Sequence, residues 1–148
     1  MKQICIALLA LCFCCAVAFE TRAQSKPAVE YKGRSGSPFS EVVRVGNVLY
    51  LSGQLGVNAS GALVTGGVKA ETKQVMDNIR GILERNGSGM DHVVKCTVML
   101  LDIADRPAMS EVYVGYFPKE RMPARSTFGT TGLALGARVE IECMAAVK

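Results

Sequence analysis

The stretch VEIECMAAV at residues 139–147 decides the fold class, because every second residue from Val139 to Val147 is apolar. Successive side chains of a β-strand point to opposite faces of the sheet. Glu140 and Glu142 therefore fall on the face opposite Cys143. The run predicts a strand with one face in the core and a second face that carries charge.

Further strands are predicted upstream of this run. HVVKCTVMLL at residues 92–101 predicts a strand with Val94, Cys96, Val98 and Leu100 on one face. VVRVG and VLYLSGQ lie on either side of Gly46-Asn47, which is typical of a β-hairpin. Residues 24–38 are rich in Gly, Ser and Pro and predict a loose segment.

Two helices separate the later strands. Apolar residues at the spacing of one helical face predict a helix from Val68 to Arg85, and a second helix fits Arg106 to Phe117 before Pro118. The order β-β-(β)-α-β-α-β predicts an α/β (α+β) two-layer sandwich, a mixed sheet with two helices on one face. The other face is half apolar, which favours an oligomer.

The first residues have the pattern of an export signal. Residues 4–19 are uncharged and mostly apolar, and Lys2 precedes them. We expect residues 1–23 to be a signal peptide, cleaved after Ala18 or Ala23, and residues 24–148 to be one domain. The protein is then periplasmic or secreted, with no membrane contact after cleavage; the alternative is a cytoplasmic protein.

Cysteine usage changes if this signal is removed, because four of the six cysteines lie within it. Cys96 and Cys143 remain, both in apolar strand-like runs. Two cysteines do not make a disulfide scaffold. We therefore expect both to be reduced, buried packing residues.

Several classes of site are excluded. His92 is the single histidine, and Cys96 lies about 13 Å further along the predicted strand, so no metal site is expected. Gly61–Val68 has the glycine spacing of a phosphate-binding loop, but Gly67 and Val68 replace its lysine and hydroxyl residue. A net charge of +4 without aromatic residues among the basic ones predicts no nucleic-acid partner.

Two sets of charged residues are candidates for a site. Arg125 follows Pro123 at the start of a predicted strand, where a guanidinium can bind a carboxylate with two hydrogen bonds. Glu140 and Glu142 form a carboxylate pair about 7 Å apart on one strand face. From these residues alone, a salt bridge for Arg125 and a solvated carboxylate pair remain open.

Five segments together resemble the reactive intermediate deaminase family, also called the YjgF family. They occur in the family's order and approximate spacing, and the resemblance extends from about residue 37 to residue 147. The segments are Ser37-Pro-Phe-Ser40, Leu51-Ser-Gly-Gln54, Glu111-Val-Tyr113 followed by Tyr116-Phe117, Pro123-Ala-Arg-Ser126 and Val139-Glu-Ile-Glu142.

The resemblance implies a chorismate-mutase-like fold, assembled as a homotrimer with clefts between subunits. It also implies hydrolysis of 2-enamine and 2-imine acids, such as 2-aminoacrylate and 2-iminobutanoate, to 2-keto acids and ammonia without a cofactor. By the same resemblance, Arg125 binds the substrate carboxylate, Glu140 is the catalytic carboxylate and Ser52 contributes to the substrate site.

Three substrate-binding candidates depart from the family's pattern. The family's tyrosine is Phe39 here, its cysteine is Thr127 and its asparagine in the second helix is Ser110. These changes leave Arg125 and Glu140 in place and bear on the substrate. A second function remains open, a non-catalytic trimeric binder of small carboxylates.

Overall fold

A computed structural model describes residues 26–33 and 36–148, and the expected signal peptide lies outside these residues. Within the described part, seven strands and two α-helices keep the predicted order, with one strand added at the start and a second, at Arg125, added between the second helix and the last strand. The strands are β1 (Val29–Lys32), β2 (Val42–Val45), β3 (Val48–Leu51), β4 (Gln54–Leu55), β5 (Val93–Leu100), β6 (Ala124–Gly129) and β7 (Val139–Ala146). The helices are α1 (Gly67–Arg85) and α2 (Arg106–Tyr113).

The strands form one mixed sheet in the order β1-β2-β3-β7-β5-β6, and β4 also pairs with β7. β5 and β6 are parallel, whereas the other pairs are antiparallel. Both helices pack on one face, which confirms the two-layer sandwich. β7 is central, and its residues Val139, Ile141, Cys143 and Ala145 are buried as the alternation predicts.

The helices begin and end close to their predicted bounds. α1 buries a continuous apolar stripe that includes Val75, Ile79 and Leu83. α2 continues as a 3-10 turn over Val114–Tyr116, after which Phe117 is buried and Pro118 follows. No helix in residues 26–33 and 36–148 has the length and apolar character needed to cross a membrane.

Two predictions about strands are wrong. The segment expected to be loose contains β1, an exposed edge strand held by its ladder to β2, whose alternating Val29 and Tyr31 do not form a buried face. Val94 was placed on the apolar face with Cys96, but the register shifts between Val93 and Lys95. This β-bulge leaves Val94 exposed and buries Val93 instead.

The prediction for the two cysteines is right about burial and wrong about redox state. Cys96 is 0% exposed and Cys143 is 2% exposed, yet the two form a disulfide. They are directly opposite each other on β5 and β7, with Cα atoms 4.1 Å apart. Alternation in the sequence places each cysteine in the core, but only the strand register places them side by side.

Candidate functional site

Arg125 lies on the helix-covered face of the sheet, near the start of the edge strand β6. Its register partner on β5 is Cys96, which faces the core, so the arginine side chain projects on the same side. The Cζ atom of Arg125 lies 4.9 Å from the centre of the Tyr113 ring on α2. An aromatic ring of the helix layer therefore supports a partly buried guanidinium.

This guanidinium forms no ion pair or side-chain hydrogen bond with any residue that the structure describes. The arginines Arg80, Arg85 and Arg138 each pair with a carboxylate of the same chain. Arg125 therefore keeps its N–H donors free for a ligand. The salt bridge that the sequence left open for this residue is not formed within the described chain.

Two further candidates from the sequence are on the elements that carry Arg125 and Tyr113. Thr127 is two residues further along β6, on the same face, and its buried hydroxyl has no hydrogen-bond partner. Ser110 is partly buried on α2, one turn before Tyr113. We call Arg125, Tyr113, Thr127 and Ser110 the Arg125 site.

Glu140 lies on the opposite, open face of the sheet. Its backbone pairs with Met99 of β5, and its carboxyl group lies against the backbone of Gly53. A Cβ atom at position 53 would overlap Glu140 Oε1, so a glycine is required for this contact. Burial raises the pKa of Glu140, and the neighbouring negative charge of Glu142 raises it further.

Ser52 precedes Gly53 in the chain, and Phe39 lines a cleft together with Gly53; with Glu140 these residues form what we call the Glu140 site. The Ser52 hydroxyl donates a hydrogen bond of 2.6 Å to the Ser40 carbonyl, which fixes the segment that carries Phe39. Phe39 is 62% exposed and lines a cleft of about 370 Å³ together with Gly53 and Leu135. Within one chain, Ser52 supports the wall of this cleft.

The two sites do not meet within one chain. Arg125 and Glu140 are on opposite faces, and β5 lies between their strands. Arg125 pairs with Cys96 of β5 and Glu140 pairs with Met99 of the same strand, three residues further on. The two residues are therefore about 10 Å apart along the strands and two strand spacings, about 10 Å, apart across the sheet. A single small imino acid cannot contact both side chains in one copy.

Tyr113 and Gly53 are residues of these sites to which the sequence analysis assigned no role. In the sequence, both residues stand out only as members of segments that resemble the family. The pairing of the strands places Arg125 against the Tyr113 ring and Glu140 against Gly53. The alternation of apolar residues in the sequence does not reveal this pairing. The glycine within Ser-Gly-Gln was the one available signal, since a glycine inside a β-rich run often marks a close approach.

The chemistry available is that of a free cation and a proton-accepting carboxyl group. Arg125 can hold a carboxylate with two parallel hydrogen bonds. Glu140, with its raised pKa, can accept and return a proton. In the described part of the chain, no three His, Cys, Asp or Glu side chains are grouped to hold a metal ion.

Comparison with known proteins gives three consistent similarities. Residues 33–147 match the profile of a family described as endoribonuclease L-PSP. The 2-iminobutanoate/2-iminopropanoate deaminase of Capra hircus is 47% identical over 109 residues, which cover 73% of this chain and 79% of that protein. The crystal structure of RidA from an Antarctic Psychrobacter species superposes with a TM-score of 0.72 at 34% identity, over 82% of this chain and 98% of that one.

A plant relative extends these similarities but is longer. The chloroplastic Reactive Intermediate Deaminase A of Arabidopsis thaliana is 41% identical over 109 residues. The match covers 73% of this chain and 58% of the plant protein. The chain therefore spans little more than half the length of that relative.

Proposed function

Because the chain belongs to the endoribonuclease L-PSP family, which includes the reactive intermediate deaminases, we propose that it hydrolyses 2-imino acids to 2-keto acids and ammonia. The observation that carries the proposal is Arg125, a partly buried guanidinium that has no ion pair with any residue in the ranges 26–33 and 36–148. Relatives named 2-iminobutanoate/2-iminopropanoate deaminase support the same reaction.

The substrate determines what the protein has to supply. The carbon of a protonated imine is already an electrophile, so water can attack it without a nucleophilic side chain. Glu140 accepts a proton from the attacking water, and the carboxylic acid then returns it to the nitrogen. The C–N bond breaks as the carbonyl forms, the nitrogen leaves as ammonia, and the carboxylate of Glu140 takes up the proton of the hydroxyl group. Arg125 holds the carboxylate of the substrate throughout.

We propose that a homotrimer brings the two sites together, with Arg125 of one copy facing Glu140 of its neighbour. The separation of the two residues within one chain supports this arrangement. Apolar side chains on the open face support it too, because Tyr50 and Phe128 are 42% and 46% exposed. Light scattering should then give about three times the mass of the mature chain.

A mixing experiment tests both the reaction and the arrangement. Arg125→Ala and Glu140→Gln subunits are each expected to be inactive in a coupled assay, in which an amino-acid oxidase generates 2-iminobutanoate. The two variants are unfolded, mixed in equal amounts and refolded together. If each site uses one residue from each of two neighbours, the mixed trimers regain about a quarter of wild-type activity. The control is wild-type protein refolded with the double variant Arg125→Ala/Glu140→Gln, which measures how far inactive subunits alone lower the activity. No recovery in confirmed mixed trimers contradicts a shared site.

The second candidate is a non-catalytic binder of small carboxylates that uses Arg125 alone. The same unpaired guanidinium supports it, because binding a carboxylate requires no base. Wild-type protein that binds 2-ketobutyrate through Arg125 but accelerates hydrolysis of no 2-imino acid would decide for this candidate. We propose no ribonuclease activity, since a net charge of +4 is modest for an RNA-binding surface.

We further propose that the protein is exported. Lys2 and the apolar run at residues 4–19 have the pattern of a signal peptide. Removal of this segment leaves Cys96 and Cys143, which are paired with each other. Stable disulfides are typical of oxidising compartments.

Cell fractionation, N-terminal sequencing and thiol counting test the proposed export. The exported protein should begin after Ala18 or Ala23 and contain no thiol that reacts under denaturing conditions without a reductant. Intact Met1 recovered from the cytoplasm, with two reactive thiols in the domain, would contradict export.

A further inference from the structure

Two arginine–tyrosine stacks lie in this molecule with nearly the same geometry. Arg125 Cζ is 4.9 Å from the centre of the Tyr113 ring, and Arg80 Cζ is 4.7 Å from the centre of the Tyr116 ring. The two tyrosines are three residues apart. Their surroundings differ in the burial of the ring and in the presence of an anion.

The Arg80 stack is satisfied by its own chain. Arg80 lies 3.6 Å from Asp77, and the Tyr116 hydroxyl donates a hydrogen bond of 2.8 Å to the same carboxylate. Asp77, which also pairs with Lys73, gives the guanidinium a counter-charge and the hydroxyl an acceptor. This stack needs no further partner and has the features of a structural contact.

The Arg125 stack has no such partner among the described residues. Tyr113 is 3% exposed, and its ring packs against Phe117 with centres 4.9 Å apart. The Tyr113 hydroxyl is buried and makes no hydrogen bond, so no hydrogen bond of the folded chain accounts for a tyrosine here. What Tyr113 does provide is the face of its ring, on which the guanidinium lies.

We propose that Tyr113 is a positioning residue for substrate binding: its buried ring holds the Arg125 guanidinium in the orientation that receives the substrate carboxylate. A ring fixed by Phe117 restricts the arginine side chain before the ligand arrives, which reduces the ordering that binding requires. The ring face also attracts the cation without occupying its N–H donors. An aspartate partner at hydrogen-bond distance would occupy those donors.

Burial raises the pKa of Tyr113 to about 12, more than Arg125 lowers it. The ring therefore stays neutral over the range in which the enzyme is assayed, and no phenolate competes with the substrate for the guanidinium. This supports a role for the ring as a surface rather than as a titrating group.

The inference rests on the proposed function, so the test measures binding separately from turnover. Calorimetry with 2-ketobutyrate, the keto acid formed from 2-iminobutanoate, reports the carboxylate site without the reaction. We expect Tyr113→Leu and Tyr113→Met to raise Kd roughly tenfold, because both remove the ring face. Tyr113→Phe keeps the ring and should bind within about threefold of wild type.

The second stack supplies the matched control. Tyr116→Leu removes a ring of the same geometry and should leave Kd unchanged. In the coupled assay, Tyr113→Met should raise KM and leave kcat and its dependence on pH unchanged, since Glu140 is not altered. On an Arg125→Lys background, Tyr113→Met should have little further effect, because the group that the ring positions is already gone.

Each contrary result identifies a different part of the proposal as wrong. If Tyr113→Phe is as damaging as Tyr113→Met, the hydroxyl is what matters and the ring role is wrong. If Tyr113→Met and Tyr116→Leu lower the affinity for 2-ketobutyrate equally, and lower the melting temperature equally, the Tyr113 stack is only a packing contact. Wild-type protein that binds 2-ketobutyrate but hydrolyses no imino acid removes the proposed reaction and leaves this inference standing. Wild-type protein that binds no 2-ketobutyrate overturns the carboxylate site and this inference with it.

Discussion

The Arg125 site and the Glu140 site occupy opposite faces of one sheet and differ in what their own chain supplies. At the Arg125 site, the helix layer provides an aromatic surface, and Tyr113 and Thr127 provide buried hydroxyls, but no described residue provides an anion. At the Glu140 site, the open face provides a carboxyl group against Gly53 and an exposed cleft, but no arginine among the residues that line this cleft. The Arg125 site has the cation and lacks the base, whereas the Glu140 site has the base and lacks the cation. The guanidinium and the carboxyl group cannot meet within one copy, which is why we propose that each is one half of a site shared between neighbouring copies.

The largest expected effect falls on the catalytic half. Glu140→Gln keeps the shape of the side chain and removes the base, so kcat in the coupled assay should fall by about 10²- to 10⁴-fold. Binding of 2-ketobutyrate should change little, because the carboxylate is held at the other half. A fall in kcat of less than tenfold would show that Glu140 is not the proton acceptor.

Substitution of Arg125 should weaken binding of the substrate. Arg125→Lys keeps the charge but cannot form two parallel hydrogen bonds, so kcat/KM should fall about 30-fold or more. Arg80→Lys is the matched control, since Arg80 pairs with Asp77 and lies outside both sites. Equal effects of the two variants would mean that the loss reflects general charge rather than the Arg125 site.

A smaller effect is expected from the backbone contact at Glu140. Gly53→Ala places a Cβ atom where Glu140 Oε1 now lies, so the carboxyl group must move and kcat should fall roughly tenfold. Gly115→Ala is the control, because a Cβ atom there meets no atom within 4 Å. Unchanged turnover in Gly53→Ala would show that the position of Glu140 is not critical.

The smallest effect concerns pH. Burial and the charge of Glu142 raise the pKa of Glu140, and the base acts in its deprotonated form. Glu142→Gln removes one of these causes, lowers the pKa and should move the acidic limb of the kcat profile to lower pH. At neutral pH, kcat should change by less than about twofold. A shift of the limb to higher pH would contradict the assignment to Glu140.

The sequence predicts those parts of the fold that depend on local pattern. Alternation in β7 has a period of two, and the apolar stripe of α1 has the period of a helix, so both are visible without the structure. Gly46 has a left-handed φ of 57° in the hairpin, where a glycine is expected. These features are set by a few neighbouring residues.

Features that depend on register were not predictable in the same way. β6 pairs with β5 in parallel, and this register alone places Arg125 beside Cys96 and over Tyr113. Alternation assigned Cys96 and Cys143 to the core but could not pair them. The family resemblance assigned roles to Arg125 and Glu140, yet the sequence could not reveal that the two lie on opposite faces of one chain.

The disulfide has a consequence for the chain as a polymer. It closes residues 96–143 into a covalent ring that contains both Arg125 and Glu140. A protease that cuts one exposed loop within this ring, such as the turn at residues 119–122, cannot release a fragment. The nicked chain stays a single covalent molecule, with both halves of the site still attached. An enzyme proposed to work outside the cell, among secreted proteases, thereby tolerates a first cut without losing either half.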